Sequence, residues 1–122
     1  MLHTGLDLTP IDRIRESIRN PRFLARVFSD EERIYFASKK DPAPSMAACF
    51  AAKEAFAKAL GTGVRGFSLN EVSVAHDEWG APFLRLSGRA LALAEKRGLS
   101  FSLSLTHTAD TAGAVVIAFE EK

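Results

Sequence analysis

The stretch Phe50-Ala51-Ala52-Lys53-Glu54-Ala55-Phe56-Ala57-Lys58-Ala59-Leu60-Gly61-Thr62-Gly63 constrains this chain more than any other, because it joins strong helix formers, three charged side chains and a glycine stop. Ser45 suits the N-cap of a helix beginning at Met46, and Gly61 is the residue type expected just past its end. At about 100° per residue, Met46, Cys49, Phe50, Lys53, Phe56, Ala57 and Leu60 fall on one core-facing side, and Ala47, Ala51, Glu54 and Lys58 on a second stripe. Glu54 and Lys58 are the only large side chains of that stripe, and its alanines leave room for a ligand or another chain. The same spacing also fits an ordinary i,i+4 ion pair on a solvated face, worth about 0.2–0.5 kcal/mol. Lys53 lies within the apolar side, where a lysine must snorkel outward or meet an acidic partner; no spacing names that partner.

At 122 residues the chain is expected to form one domain, residues 1–122. A formal net charge of +1, with 25% charged and 47% hydrophobic residues, argues against a general nucleic-acid binder. No apolar run approaches the roughly 18 residues of a membrane span, and no basic-then-apolar leader opens the chain, so neither membrane insertion nor a signal peptide is expected. The single cysteine, Cys49, has no internal disulfide partner, which fits a reducing, cytoplasmic setting; in mid-helix it reads as packing before nucleophile.

Leu2 to Leu8 reads as a strand, with Thr9-Pro10 starting a helix that ends at Asn20-Pro21. Asp7 then stands between a strand end and a helix N-terminus, placed either for a site or to complement the helix dipole. Arg13, Arg15, Arg19, Arg22 and Arg26, opposed within that span only by Glu16, make a locally basic segment that suits an acidic partner or a solvated face. Ser29-Asp30-Glu31-Glu32 is a capping box for a helix to about Lys39, and Lys40-Asp41-Pro42-Ala43-Pro44 links it to the central helix.

Gly61, Gly63 and Gly66 mark a loop where backbone can approach a ligand. Leu69–His76 and Pro82–Leu86 read as a hairpin, and Ser87 to Arg97 as a helix stopped by Gly98. Ser100–Thr106 alternates as a half-buried strand, and Gly113–Phe119 reads as a buried one. His107 ends the first of these beside a row of hydroxyls, in a setting that fits either phosphate contact or structural hydrogen bonding. This order predicts an α+β domain with helices on one face of a mainly antiparallel sheet.

Gly5-Leu6-Asp7, the Phe50–Gly63 block and Ser102-Leu103-Ser104-Leu105-Thr106-His107-Thr108 together resemble the signatures of the 4'-phosphopantetheinyl transferase superfamily, in its short holo-acyl-carrier-protein synthase branch. Gly80-Ala81-Pro82 and Leu86-Ser87-Gly88-Arg89-Ala90 fit as well, so the likeness covers nearly the whole chain. It implies that family's fold and a transferase that moves phosphopantetheine from coenzyme A to a serine of an apo acyl carrier protein, releasing adenosine 3',5'-bisphosphate, with magnesium required. By position it puts Asp7 and Glu54 on the metal, Lys58 on the phosphates, Gly61 beside the nucleotide, and His107 and Thr108 around the coenzyme A phosphates. Arg13, Arg22 and Phe23 become the docking candidates for an acidic carrier, and a homotrimer with active sites between subunits is implied. The residue types suit the chemistry: Mg²⁺ takes hard oxygen ligands, commonly one or two carboxylates with substrate phosphates, and phosphoryl chemistry rests on positioning and electrostatics. The general base and the particular carrier stay open.

Cys49 stands where that family often has arginine, and cysteine cannot hold a phosphate in two-point contact. This departure motivates an alternative, a non-catalytic relative that binds a carrier protein or nucleotide. Retention of Asp7, Glu54 and Lys58 argues for an active enzyme. Thr106 replaces the usual serine and keeps its hydroxyl, and His3 occupies a place where glycine is common.

Overall fold

The computed structural model describes residues 1–120. Strand β1 (Leu2–Pro10) leads into three short helices, α1 (Ile11–Ser17), α2 (Pro21–Val27) and α3 (Asp30–Ala37), and then the long α4 (Ala43–Leu60). A 3-10 turn (Leu69–Glu71), the hairpin β2 (Val72–His76) and β3 (Pro82–Leu86), helix α5 (Gly88–Arg97) and strands β4 (Leu99–His107) and β5 (Thr111–Glu120) complete the chain. The predicted α+β architecture is present: all strand pairs are antiparallel, in a three-stranded sheet of order β1-β5-β4 and a separate β2-β3 ribbon.

Helix α4 lies across the large sheet and is buried on almost every side. One of its faces holds Phe56, which meets Phe67 edge-on at 5.4 Å and Phe101 at 4.9 Å. Ala47 and Ala51, on the stripe expected to stay open, are fully buried, which corrects that expectation. The small residues of α4 let the sheet come close: a β-carbon built on Gly5 would lie 1.8 Å from the Ala55 carbonyl oxygen. Only glycine fits at that crossing, which gives Gly5 a structural cause.

Of the two outcomes open to Lys53 on the apolar side, the structure shows the second, a buried acidic partner. Its Nζ donates to Glu32 Oε1 at 2.6 Å, to the Leu69 carbonyl at 3.2 Å and to the Val72 carbonyl. Glu32 also completes the α3 capping box, accepting from the Ser29 amide at 3.0 Å, and takes the Val74 amide at 2.9 Å. One carboxylate thus ties α3, α4 and β2 together. Burial pulls Lys53 below the ordinary lysine pKa, and the Glu32 charge opposes that shift.

Several boundaries move from the sequence reading. Thr9 and Pro10 stay in β1, and Thr9 Oγ1 donates to Asp7 Oδ2 at 3.2 Å instead of capping a helix. The helix expected to run to Asn20-Pro21 stops at Ser17, and Asn20-Pro21 starts a second one, since the Asn20 side chain accepts from the Arg22 amide and Pro21 opens α2. Helix α4 begins at Ala43, ahead of Ser45, with its entrance tied back by a two-point contact of Arg15 with Asp41, both bonds 2.9 Å.

Candidate active site

Inward-facing positions of β1 alternate through His3, Gly5, Asp7 and Thr9, so the strand that approaches α4 at Gly5 also turns Asp7 toward that helix. Lys58, in the last turn of α4, reaches back: its Nζ lies 3.2 Å from Asp7 Oδ1 and donates to the Leu6 carbonyl at 2.9 Å. Glu54, one turn earlier, is partly buried beside them. Its pKa is raised, first by burial and then by the Asp7 charge, while Lys58 and Arg13 act in the opposite direction.

Two carboxylates thus share one lysine, with the Arg13 charge also acting on Glu54, and burial raises the cost of ionising Glu54 beside Asp7. Their hard oxygen donors, on two different elements, suit a divalent cation whose remaining ligands come from waters or phosphates. Among the described residues, no group of three or more His, Cys, Asp or Glu side chains is placed to hold a metal ion.

Gly61 caps α4 in the left-handed region, with φ of 77°, and leaves exposed backbone beside Lys58. Among the described contacts, Arg97 Nη1 donates to the Leu60 carbonyl at 2.9 Å and so secures the same helix end, a link no spacing in the sequence suggests.

His107 lies apart from this cluster. Asp7 pairs with Ala114 and His107 with Ala112, so β5 runs between them, and strand spacing puts their backbones about 12 Å apart. His107 is exposed and its Nδ1 sits 3.2 Å from the Thr108 carbonyl. It borders a pocket of about 140 Å³ with Ser45, Cys49, His76, Leu105 and Thr106. Cys49 is 3% exposed, and burial pushes its thiol pKa far up, which makes it a packing residue of the pocket wall. The Thr108 hydroxyl is engaged locally: it accepts from the Asp110 and Thr111 amides at 3.3 and 3.1 Å and shapes the β4-β5 turn.

Two of the three docking candidates converge on one ring. The Arg13 guanidinium lies 5.8 Å from the Phe50 centroid, and Phe23 stacks on Phe50 at 6.0 Å. Arg22 is exposed at the start of α2. The basic segment therefore borders the same helix that carries Glu54 and Lys58.

The fold and this site define a class that the comparisons identify. Residues 3–117 match the family model of the 4'-phosphopantetheinyl transferase superfamily, and the chain belongs to that family. It is accordingly a transferase, and its full-length similarity runs to holo-acyl-carrier-protein synthases. A Treponema denticola protein of that name is 50% identical over 119 residues, covering 96% of this chain and 97% of the relative. The crystal structure of the Neisseria meningitidis synthase superimposes with a TM-score of 0.87 at 37% identity, covering 97% of this chain and 98% of that one. A Chronobacterium ammoniagenes complex with coenzyme A gives the same TM-score at 27% identity, over 100% and 99% of the two chains.

Proposed function

We propose that this protein is a holo-acyl-carrier-protein synthase that transfers 4'-phosphopantetheine from coenzyme A to a serine hydroxyl of an apo acyl carrier protein and releases adenosine 3',5'-bisphosphate. The observation that carries this reading is the Asp7, Glu54 and Lys58 cluster, in a chain whose full-length relatives carry that name. Asp7 and Glu54 would hold Mg²⁺, which supplies charge neutralisation at the pyrophosphate when bound. Lys58 adds a point charge for the phosphate oxygens, and Gly61 leaves backbone open beside them. His107 and Thr108 would border the coenzyme A phosphates from the β4 end, with Thr108 acting through the turn it shapes.

The separation of His107 from Asp7 supports a cleft completed between subunits. The outward face of the large sheet supplies a surface for such an assembly: Leu2, Leu6 and Leu8 are 70%, 63% and 68% exposed, alongside the partly buried Val115, Ile117 and Phe119. A homotrimer would cover this apolar face, and sedimentation equilibrium at three times the chain mass is the expected result; a monomer would contradict it. The family chemistry and the lone buried thiol suit the cytoplasm. Among the described residues, no helix is long and apolar enough to cross a membrane.

Arg13, Arg22 and Phe23 would receive the acidic carrier, with Arg13 and Phe23 held on Phe50. Arg13→Glu reverses a charge at the point where the carrier would approach, so it is expected to raise KM for the carrier at least tenfold, about 1.4 kcal/mol, with KM for coenzyme A changed less than twofold. Steady-state kinetics with each substrate varied in turn checks this. Equal effects on both would remove Arg13 from docking.

A further inference from the structure

The pocket beside His107 holds a second imidazole that the sequence patterns left without a role. His76 ends β2, and its ring stacks on Tyr35 of α3 at 4.2 Å and 14°. Stacking fixes the ring plane, yet neither ring nitrogen has a hydrogen-bond partner among the described residues. A partly buried histidine kept only for packing usually pairs at least one nitrogen. Here both remain available where His76 and His107 line one pocket with the Ser45 and Thr106 hydroxyls.

We propose that His76 is a second phosphate-binding residue of the coenzyme A site, acting with His107 in this shared pocket. The inference rests on the transferase reading given above. A protonated imidazole presents two N–H donors, and a phosphate group offers several acceptor oxygens, so each histidine can form a charge-assisted hydrogen bond to the ligand.

Charged and titratable groups around His76 are Lys39, Glu31 and Tyr35 from α3 and the turn after it, Asp77 from its own hairpin, Cys49 from α4 and His107 from β4; β3 places Pro82 opposite His76, and its Arg85 pairs with Glu31 at 3.1 Å. Burial and Lys39 lower the His76 pKa from the ordinary 6.5, against smaller opposing effects of Asp77 and Glu31. The empty site therefore holds His76 mainly neutral at pH 7, and a bound phosphate draws a proton onto it. Binding of coenzyme A then takes up protons and strengthens as the pH falls toward 6.

Calorimetric titration of the full chain with coenzyme A, in buffers of different ionisation enthalpy at pH 6.5 and 8.5, measures both affinity and proton uptake. His76→Phe keeps the ring stack and removes the titration, and His76→Gln keeps a donor without the charge. Both variants are expected to lose roughly tenfold in affinity at pH 6.5 and less than twofold at pH 8.5, and to take up fewer protons than wild type. Unchanged affinity and proton uptake in both, with wild type binding normally, would overturn the role of His76 and leave the transferase reading standing. Failure of the folded wild-type protein to bind coenzyme A at either pH would overturn both.

Discussion

Glu54→Gln is expected to abolish phosphopantetheine transfer while making the ligand-free protein slightly more stable at neutral pH. The amide keeps the size of the side chain but removes one of the two negative charges available to a divalent cation. The stability effect follows from the raised Glu54 pKa. The folded state holds the proton more tightly than the unfolded chain, so this group's stabilising contribution is full below about pH 4.5, the ordinary value, and is lost as the pH rises through the raised one. At neutral pH the ionised carboxylate is a cost, and glutamine removes it. Thermal melts across pH 4 to 8 should therefore show the variant above wild type at pH 7 and the gap closing toward pH 4. A variant that retains full transfer would take Glu54 out of the mechanism, and one that melts below wild type at pH 7 would contradict its electrostatic setting.

Lys53→Met is the second large effect, and it is one of stability. The substitution leaves the fully buried Glu32 without its cation and strips donors from the Leu69 and Val72 carbonyls. Breaking one side of a buried ion pair costs about 3–5 kcal/mol, a large part of the stability of a domain this size. Adding Glu32→Leu should not restore it, because the Ser29 and Val74 amides would then lose their acceptor as well. Urea unfolding of the single and double variants measures both losses. A loss below about 1 kcal/mol in Lys53→Met would show that the pair does not hold α3, α4 and β2 together.

The different fates of neighbouring residues show what a linear pattern can convey. Helical periodicity placed Lys53 on the buried side, and the Ser29 to Glu32 spacing gave the capping box, yet that these two features share one carboxylate depends on a long-range contact between α3 and α4. Alanine is equally consistent with an open groove and with close packing. Gly5 is the residue that decides for packing, and it lies about 50 positions away in sequence. Asn20-Pro21 carries both a stop and a start signal, and the second helix was hidden behind the first.

At the candidate site, the i,i+4 spacing of Glu54 and Lys58 was legible, and the family resemblance favoured the site readings of Asp7 and His107 that position alone had left open. The contact of Lys58 with Asp7 had no local signal, because it depends on how β1 crosses α4. His76 was unreadable for the same reason: its partner Tyr35 and its neighbour His107 belong to other elements. The cysteine at position 49, which motivated a non-catalytic alternative, lines that pocket as a buried residue beside both histidines, and those imidazoles can supply cationic donors that cysteine lacks.

The most direct measurement is the mass of an apo acyl carrier protein after incubation with this protein, coenzyme A and Mg²⁺, with a matched sample in EDTA. The expected result is a gain of one phosphopantetheine group on the carrier, absent from the EDTA sample. No gain on several acidic carriers, from a folded protein that still binds coenzyme A, would contradict the assignment and favour a binding role for the same fold.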